Sequence, residues 1–236
     1  MKRTLKVWIA SLLAVVLFSL ISVFWFDKPT AFLVHDIFGS RQSSADLADS
    51  RILSVPLVTT SVFVVLGVFA IMGRQFSIFE KTILLCDISI LTTDAIKNQL
   101  KFVFGRTWPD SWGPQILSLV HDNVYGFHFF QSGGSFESFP SGHAAAIAAV
   151  MSVLWIVFPR LRPLYAIGIG AADIGLVLLN LHFISDVVAG TFVGASTGLF
   201  TVALFLPNAW LIEHTKSDVA PNGAEPASST FAQRPS

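Results

Sequence analysis

Phe139-Pro140-Ser141-Gly142-His143 leads directly into Ala144-Ala145-Ala146-Ile147-Ala148-Ala149-Val150-Met151-Ser152-Val153-Leu154-Trp155-Ile156-Val157-Phe158, a run without charge after its histidine. It reads as an apolar helix with a polar first turn. Ser141 is a good N-cap, and the exposed amides of a helix N-terminus offer a site for an anion. Gly142 lets that anion approach the backbone. His143 falls in the first turn, near a bound phosphate and placed to protonate a departing alkoxide. Taken without its neighbours, the stretch serves equally as a helix cap with an interfacial histidine.

Outward from this run, five more apolar stretches flank it: Val7–Phe26, Ile52–Met72, Ile83–Phe104, Pro163–Leu181 and Val187–Leu206. Most approach the ~20 residues of a spanning helix, although Ile83–Phe104 is polar and His143–Phe158 is short. With 53% hydrophobic and 13% charged residues and a mean hydropathy of +0.67, the composition argues against a soluble fold. The expected fold class is all-α, a polytopic membrane protein of six transmembrane helices. One membrane domain covers 1–213. Residues 214–236, rich in Pro, Ala, Ser and Asn, read as a disordered cytoplasmic tail.

Basic residues set the orientation. Lys2, Arg3 and Lys6, then Arg74 and Lys81, then Arg160 and Arg162 share one side if six helices alternate, and that side reads as cytoplasmic with both termini. A signal peptide is the other reading of the first segment. Its apolar stretch is too long for one, and only Trp25-Phe26-Asp27-Lys28 follows, so it reads as an uncleaved anchor. Short loops suggest a bacterial cytoplasmic (inner) membrane. Cys86 is the single cysteine, which rules out an internal disulfide, and zero net charge gives no sign of a nucleic-acid partner.

Two outer loops stand out. Asp27–Ser50 contains Ala31-Phe32-Leu33-Val34 and Asp36-Ile37-Phe38, which suggest a short interfacial helix. Gly105–Phe139 is long and aromatic, the kind of loop that is usually functional; its Trp108, Trp112, Tyr125 and Phe127 read as interface aromatics. Asp87, Asp94 and Asp173 are either structural hydrogen-bonding groups or part of a polar route.

Alternation of the spans brings three polar clusters to the outer membrane–water boundary. Lys101 and Arg106 end the third span, Ser141-Gly142-His143 starts the fourth, and His182 and Asp186 lie between the fifth and sixth. His182 and Asp186 share a helical face if the helix runs through them. A carboxylate on one ring nitrogen fixes the tautomer and supports charge when the other attacks, as a nucleophilic histidine requires; a boundary cap is the plainer reading. Lys101 and Arg106 are suited to offset phosphate charge, or simply to snorkel. Lys97 lies close to Asp94, which suggests an internal ion pair. No HExxH or paired-cysteine spacing supports a metal site.

These residues resemble the type 2 phosphatidic acid phosphatase superfamily, which includes the vanadium haloperoxidases. Its pattern is a Lys followed by Arg-Pro, then Pro-Ser-Gly-His, then Ser-Arg with a later His and an Asp four beyond. Pro140, Ser141, Gly142 and His143 carry the middle motif whole, His182 and Asp186 the end of the third, and Lys101 and Pro109 the ends of the first. Trp108 stands where the family has one arginine, and Gly175-Leu176 where it has Ser-Arg. The resemblance implies a lipid phosphatase. His182 attacks phosphorus, Asp186 orients it, His143 protonates the leaving alcohol, and water hydrolyses the phosphohistidine.

By the same resemblance Lys101, Arg106, Ser141 and Gly142 hold the phosphate, with no metal or cofactor. Arg106 supplies one missing guanidinium, while Asn180, His121 or His128 lie within reach of the second position, and Trp108 is auxiliary. The implied partners are the bilayer and a phosphorylated lipid: phosphatidic acid, phosphatidylglycerophosphate, undecaprenyl diphosphate or lipid A. A missing arginine clamp removes roughly 10²–10³ in rate. A phosphotransferase or a non-catalytic lipid-binding or transport descendant are the alternatives, and Trp108 and Leu176 favour the latter.

Overall fold

The computed structural model describes residues 2–39, 54–111, 113 and 115–206. Its α-helices are α1 (Lys2–Trp25), α2 (Asp27–Phe38), α3 (Ser54–Ile71), α4 (Ile78–Phe104), α5 (Leu119–Asp122), α6 (Gly142–Val157), α7 (Arg162–Leu178) and α8 (Ile184–Phe205). Among the described residues there is no strand beyond isolated bridges. The described residues thus form the all-α fold expected.

Local chemistry explains the helix boundaries. α4 opens on a capping box, with Ser77 and Glu80 satisfying each other's backbone amides. It closes at Gly105, whose φ of 52° is left-handed and where a Cβ would collide with the carbonyl of His128. α6 starts at Ser141, whose hydroxyl accepts from the Ala144 amide at 3.3 Å. α7 carries a proline in its first turn.

Among the described residues three helices are long and apolar enough to cross a membrane: Arg3–Trp25, Pro159–Leu178 and Ile184–Phe205. The other three expected spans fall short of that mark in length or in apolar character. α6, at 16 residues, rises about 24 Å against a hydrocarbon core of about 30 Å, and the described apolar part of α3 is only Thr59–Ile71. α4 has length but carries Glu80, Lys81, Asp87, Asp94, Lys97 and Lys101. On the clear spans Leu13, Leu17, Phe24, Leu164 and Ile167 are all 60–79% exposed, surface that suits lipid rather than water.

The closest helix pairing is α6 on α8, and small residues make it possible. Gly190, Gly194 and Gly198 recur at four-residue spacing along α8. A Cβ on them would collide with the carbonyls of Ser141, Ala145 and Ala149 in turn. Facing them, Ala145, Ala148 and Ala149 are fully buried. Such small-residue seams let backbones approach where hydrophobic transfer gives no drive. Polar side chains join neighbouring helices to the seam: Thr93 of α4 meets Thr197 at 2.5 Å, Trp8 of α1 donates to Ser196 at 3.0 Å, and Thr191 donates to Asp173 of α7 at 2.8 Å.

The interfacial helix expected after Asp27 is present as α2. It buries Asp27, Ala31 and Val34 and exposes Leu33, Ile37 and Phe38. The loop between α4 and α6 is pinned by Arg106, which bridges to Phe127 and Glu137, and by an aromatic cluster of Phe104, Phe127, Phe129 and Phe139. All these elements belong to one unit, Met1–Phe205. The expected boundary at 213 and the 214–236 tail lie outside the described residues.

Candidate active site

The seam between α6 and α8 brings their N-termini together, and the Ser141 amide donates to the Asp186 carbonyl at 2.9 Å. Two of the expected residues therefore meet through backbone alone. His143, exposed in the first turn of α6, lies with its ring centroid 6.2 Å from that of His182. A phosphoryl group can span such a gap between two imidazoles.

His182 is 3% exposed and turns its Nδ1 toward Asp186 Oδ2 at 3.7 Å and Ser138 Oγ at 3.5 Å. Neither distance is a short hydrogen bond. Asp186 Oδ2 instead accepts from Ser138 Oγ at 2.6 Å and from the Phe183 amide at 3.1 Å. Its other oxygen, Oδ1, takes Arg106 Nη1 at 2.5 Å. The carboxylate is thus held on both oxygens beside the imidazole.

Arg106, expected to hold phosphate, has both terminal nitrogens engaged by protein groups. Its side chain is 0% exposed. Nη1 donates to Asp186 and Ser185, and Nη2 donates to Asp27 at 2.8 Å and to the Tyr125 hydroxyl at 3.1 Å. The rings of Phe183, Phe127 and Tyr125 lie 4.3–5.4 Å from its guanidinium carbon. Burial alone would lower its pKa, but the Asp186 and Asp27 carboxylates outweigh that and raise it. Partial burial pushes the Tyr125 phenol up to about 12, against the lowering pull of Arg106.

Asn180, expected as an auxiliary site group, is buried. It adopts a left-handed conformation, φ 51°, after α7, and its amide donates to the Ala31 carbonyl of α2 at 3.2 Å rather than to the site. Leu176 is buried in an apolar cluster with Ala144 and Val187, so hydrocarbon fills that position. The Trp108 ring lies tilted by 43° against His182, centroids 5.1 Å apart, and its indole N–H donates to the Gly134 carbonyl at 2.6 Å. His121 binds Asp110 through Nε2 at 2.8 Å, and His128 packs on Phe136.

The cations toward the site opening lie on α4. Lys101 Nζ is 5.9 Å from the Trp108 ring and within electrostatic reach of Lys97, Glu137 and Asp186. Lys97 pairs with Asp94 at 2.7 Å, and its stem lies 3.3 Å from where a Cβ on Gly142 would sit. Glycine at 142 therefore makes room for a lysine at the N-terminus of α6. No group of three or more His, Cys, Asp or Glu suited to a metal occurs among the described residues.

Sequence reasoning missed Asp27, Ser138 and Ser185, each of which touches Arg106 or Asp186. Asp27 gave one signal: a lone carboxylate at the end of a long apolar run, where a partner is needed.

Residues 82–210 match the PAP2 superfamily. The chain is 32% identical over 121 residues to a lipid A 1-phosphatase of Rhizobium johnstonii, covering 50% of this chain and 45% of that protein. It is 31% identical over 121 residues to a lipid A 1-phosphatase of Rhizobium etli, covering 50% and 47%. The chain spans about half the length of the curated relatives it matches. No solved structure matches it.

Proposed function

We propose, from the premise that the chain belongs to the PAP2 superfamily, that it is a membrane lipid phosphatase working through a phosphohistidine without a metal. The observation that carries this reading is the single cluster of His143, His182 and Asp186, with the two rings 6.2 Å apart. His182 Nε2 attacks phosphorus as its Nδ1 faces Asp186. The ester P–O bond breaks, and His143 passes its proton to the leaving alkoxide. Water, deprotonated by His143, then cleaves the P–N bond and releases inorganic phosphate.

Lys101, with Ser141 and the Gly142 amide at the start of α6, holds and neutralises the phosphate oxygens. The similarity to lipid A 1-phosphatases favours a phosphorylated glycolipid such as lipid A over phosphatidic acid, phosphatidylglycerophosphate or undecaprenyl diphosphate. The setting is a bacterial inner membrane, with six helices crossing it, both termini in the cytoplasm and the site on the periplasmic side.

A non-catalytic lipid-binding role is favoured by one observation: Trp108 and the buried Leu176 occupy places where the resemblance calls for arginines. Phosphate release from the four lipids in chelator separates the two. The expected result is release from lipid A, lowered at least about 10³-fold in His182→Ala and in His143→Ala. Full activity in both variants removes the phosphatase reading, and lipid binding without release supports the other.

A further inference from the structure

Asp27, the first residue of α2, precedes the region matched by the family, residues 82–210. It is 1% exposed. Its Oδ1 accepts from Ser22 Oγ at 2.7 Å and from the Ser185 amide at 3.2 Å; its Oδ2 accepts from Ser185 Oγ at 2.5 Å and from Arg106 Nη2 at 2.8 Å. Arg106 and Ser185 are also the groups joined to one another beside Asp186. Two fully buried carboxylates thus hold one guanidinium, one at each terminal nitrogen.

A buried carboxylate needs compensation, and Asp27 has it several times over. Packing alone would be met more cheaply by an apolar residue of the same volume, as buried ion pairs seldom add stability over hydrophobic replacements. The arrangement makes sense as orientation. With Nη2 held by Asp27, Nη1 is aimed at Asp186 Oδ1, and Asp186 keeps Oδ2 on the side of His182 Nδ1. The cluster of Asp27, Arg106 and Asp186 carries one net negative charge, which an imidazolium at His182 balances.

We propose that Asp27 is a positioning residue of the active site, acting through Arg106 to fix the orientation and charge of Asp186. The inference rests on His182 and Asp186 being the catalytic pair. Asp27 touches no reacting atom. It ties α2 to the chemistry although α2 is distant in sequence from every motif.

The test uses the full chain in lipid–detergent micelles. Asp27→Asn keeps the shape and removes the charge. With lipid A as substrate, kcat is expected to fall at least about tenfold while KM stays within about twofold. The His182 imidazole titration, followed by 15N NMR, is expected to move down by roughly half a unit or more. Loss of a nearby negative charge and a firmer hold of Arg106 on Asp186 both disfavour the imidazolium. The other groups facing His182 are unaltered: Asp186 at its Nδ1, His143 across the gap, and Lys101 beyond Trp108 with Lys97 and Glu137 beside it. A merely structural Asp27 would change the melting temperature without moving this titration.

A folded Asp27→Asn variant with wild-type kcat and titration overturns the inference. If that variant does not accumulate, Ser22→Ala loosens Asp27 at one bond and is expected to shift the titration the same way by less; an unshifted titration there overturns the inference equally. A wild type that releases phosphate from none of the lipids defeats the phosphatase reading, while the NMR titration still decides the role of Asp27.

Discussion

Behind His182 the charges are buried and matched: Arg106 between Asp27 and Asp186, each 0–1% exposed. On the α4 side they are partly open and held by yielding partners, with Lys97, its side chain 18% exposed, against Asp94 at 41%. Both regions contain cations that the sequence offers as phosphate ligands. Only the second keeps side chains that an incoming phosphate can recruit, because an exposed pair is worth little and exchanges partners readily. The first is locked, since freeing its arginine would strand two carboxylates away from water. On the proposed mechanism, charge behind the ring orients it and charge on the α4 side meets substrate.

The largest expected effect breaks the buried region. Arg106→Ala leaves Asp27 and Asp186 without their shared cation and is expected to cost about 3–5 kcal/mol of stability, read as a large fall in melting temperature and in folded yield. A purely phosphate-binding Arg106 would instead lose activity at unchanged stability. Next, Lys101→Ala is expected to lower kcat/KM about 10²-fold, and Lys97→Ala about tenfold, with little change in melting. Equal destabilisation by these lysine variants and by Arg106→Ala would erase the distinction between the two regions.

The smallest effect sharpens it. Tyr125 accepts from Arg106 and donates to the Val23 carbonyl at 2.6 Å, so Tyr125→Phe is expected to cost about 1 kcal/mol at neutral pH. Burial raises the folded phenol to about 12, above its ordinary value of about 10. Its contribution is therefore complete below pH ~10 and lost as pH rises through 12. Melting curves of wild type and Tyr125→Phe should converge over that window.

Much of this was legible before any coordinates. A polar cap ahead of an apolar run marks the start of α6, and the His182–Asp186 pairing was legible, although α8 begins only at Ile184 and His182 reaches Asp186 from the turn before it. Alternation of apolar runs brings His143 to the same cluster. What stayed hidden is direction. Arg106 next to a helix end looks like a ligand for phosphate, and only the three rings around it and Asp27, far away in the chain, turn it inward. Asn180 was readable as a hydrogen-bonding group, but its left-handed backbone points the amide at Ala31. The extent of α6 was readable as short, because Pro159 closes it.

The three glycines of α8 carry a last consequence. With no side chain between them and the carbonyls of α6, the separation of the two helices is a backbone dimension, and His143 and Asp186 inherit it. The seam works as a feeler gauge set deep in the protein: a single methyl added at Gly194 or Gly198 would be felt as a wider jaw where the two imidazoles meet.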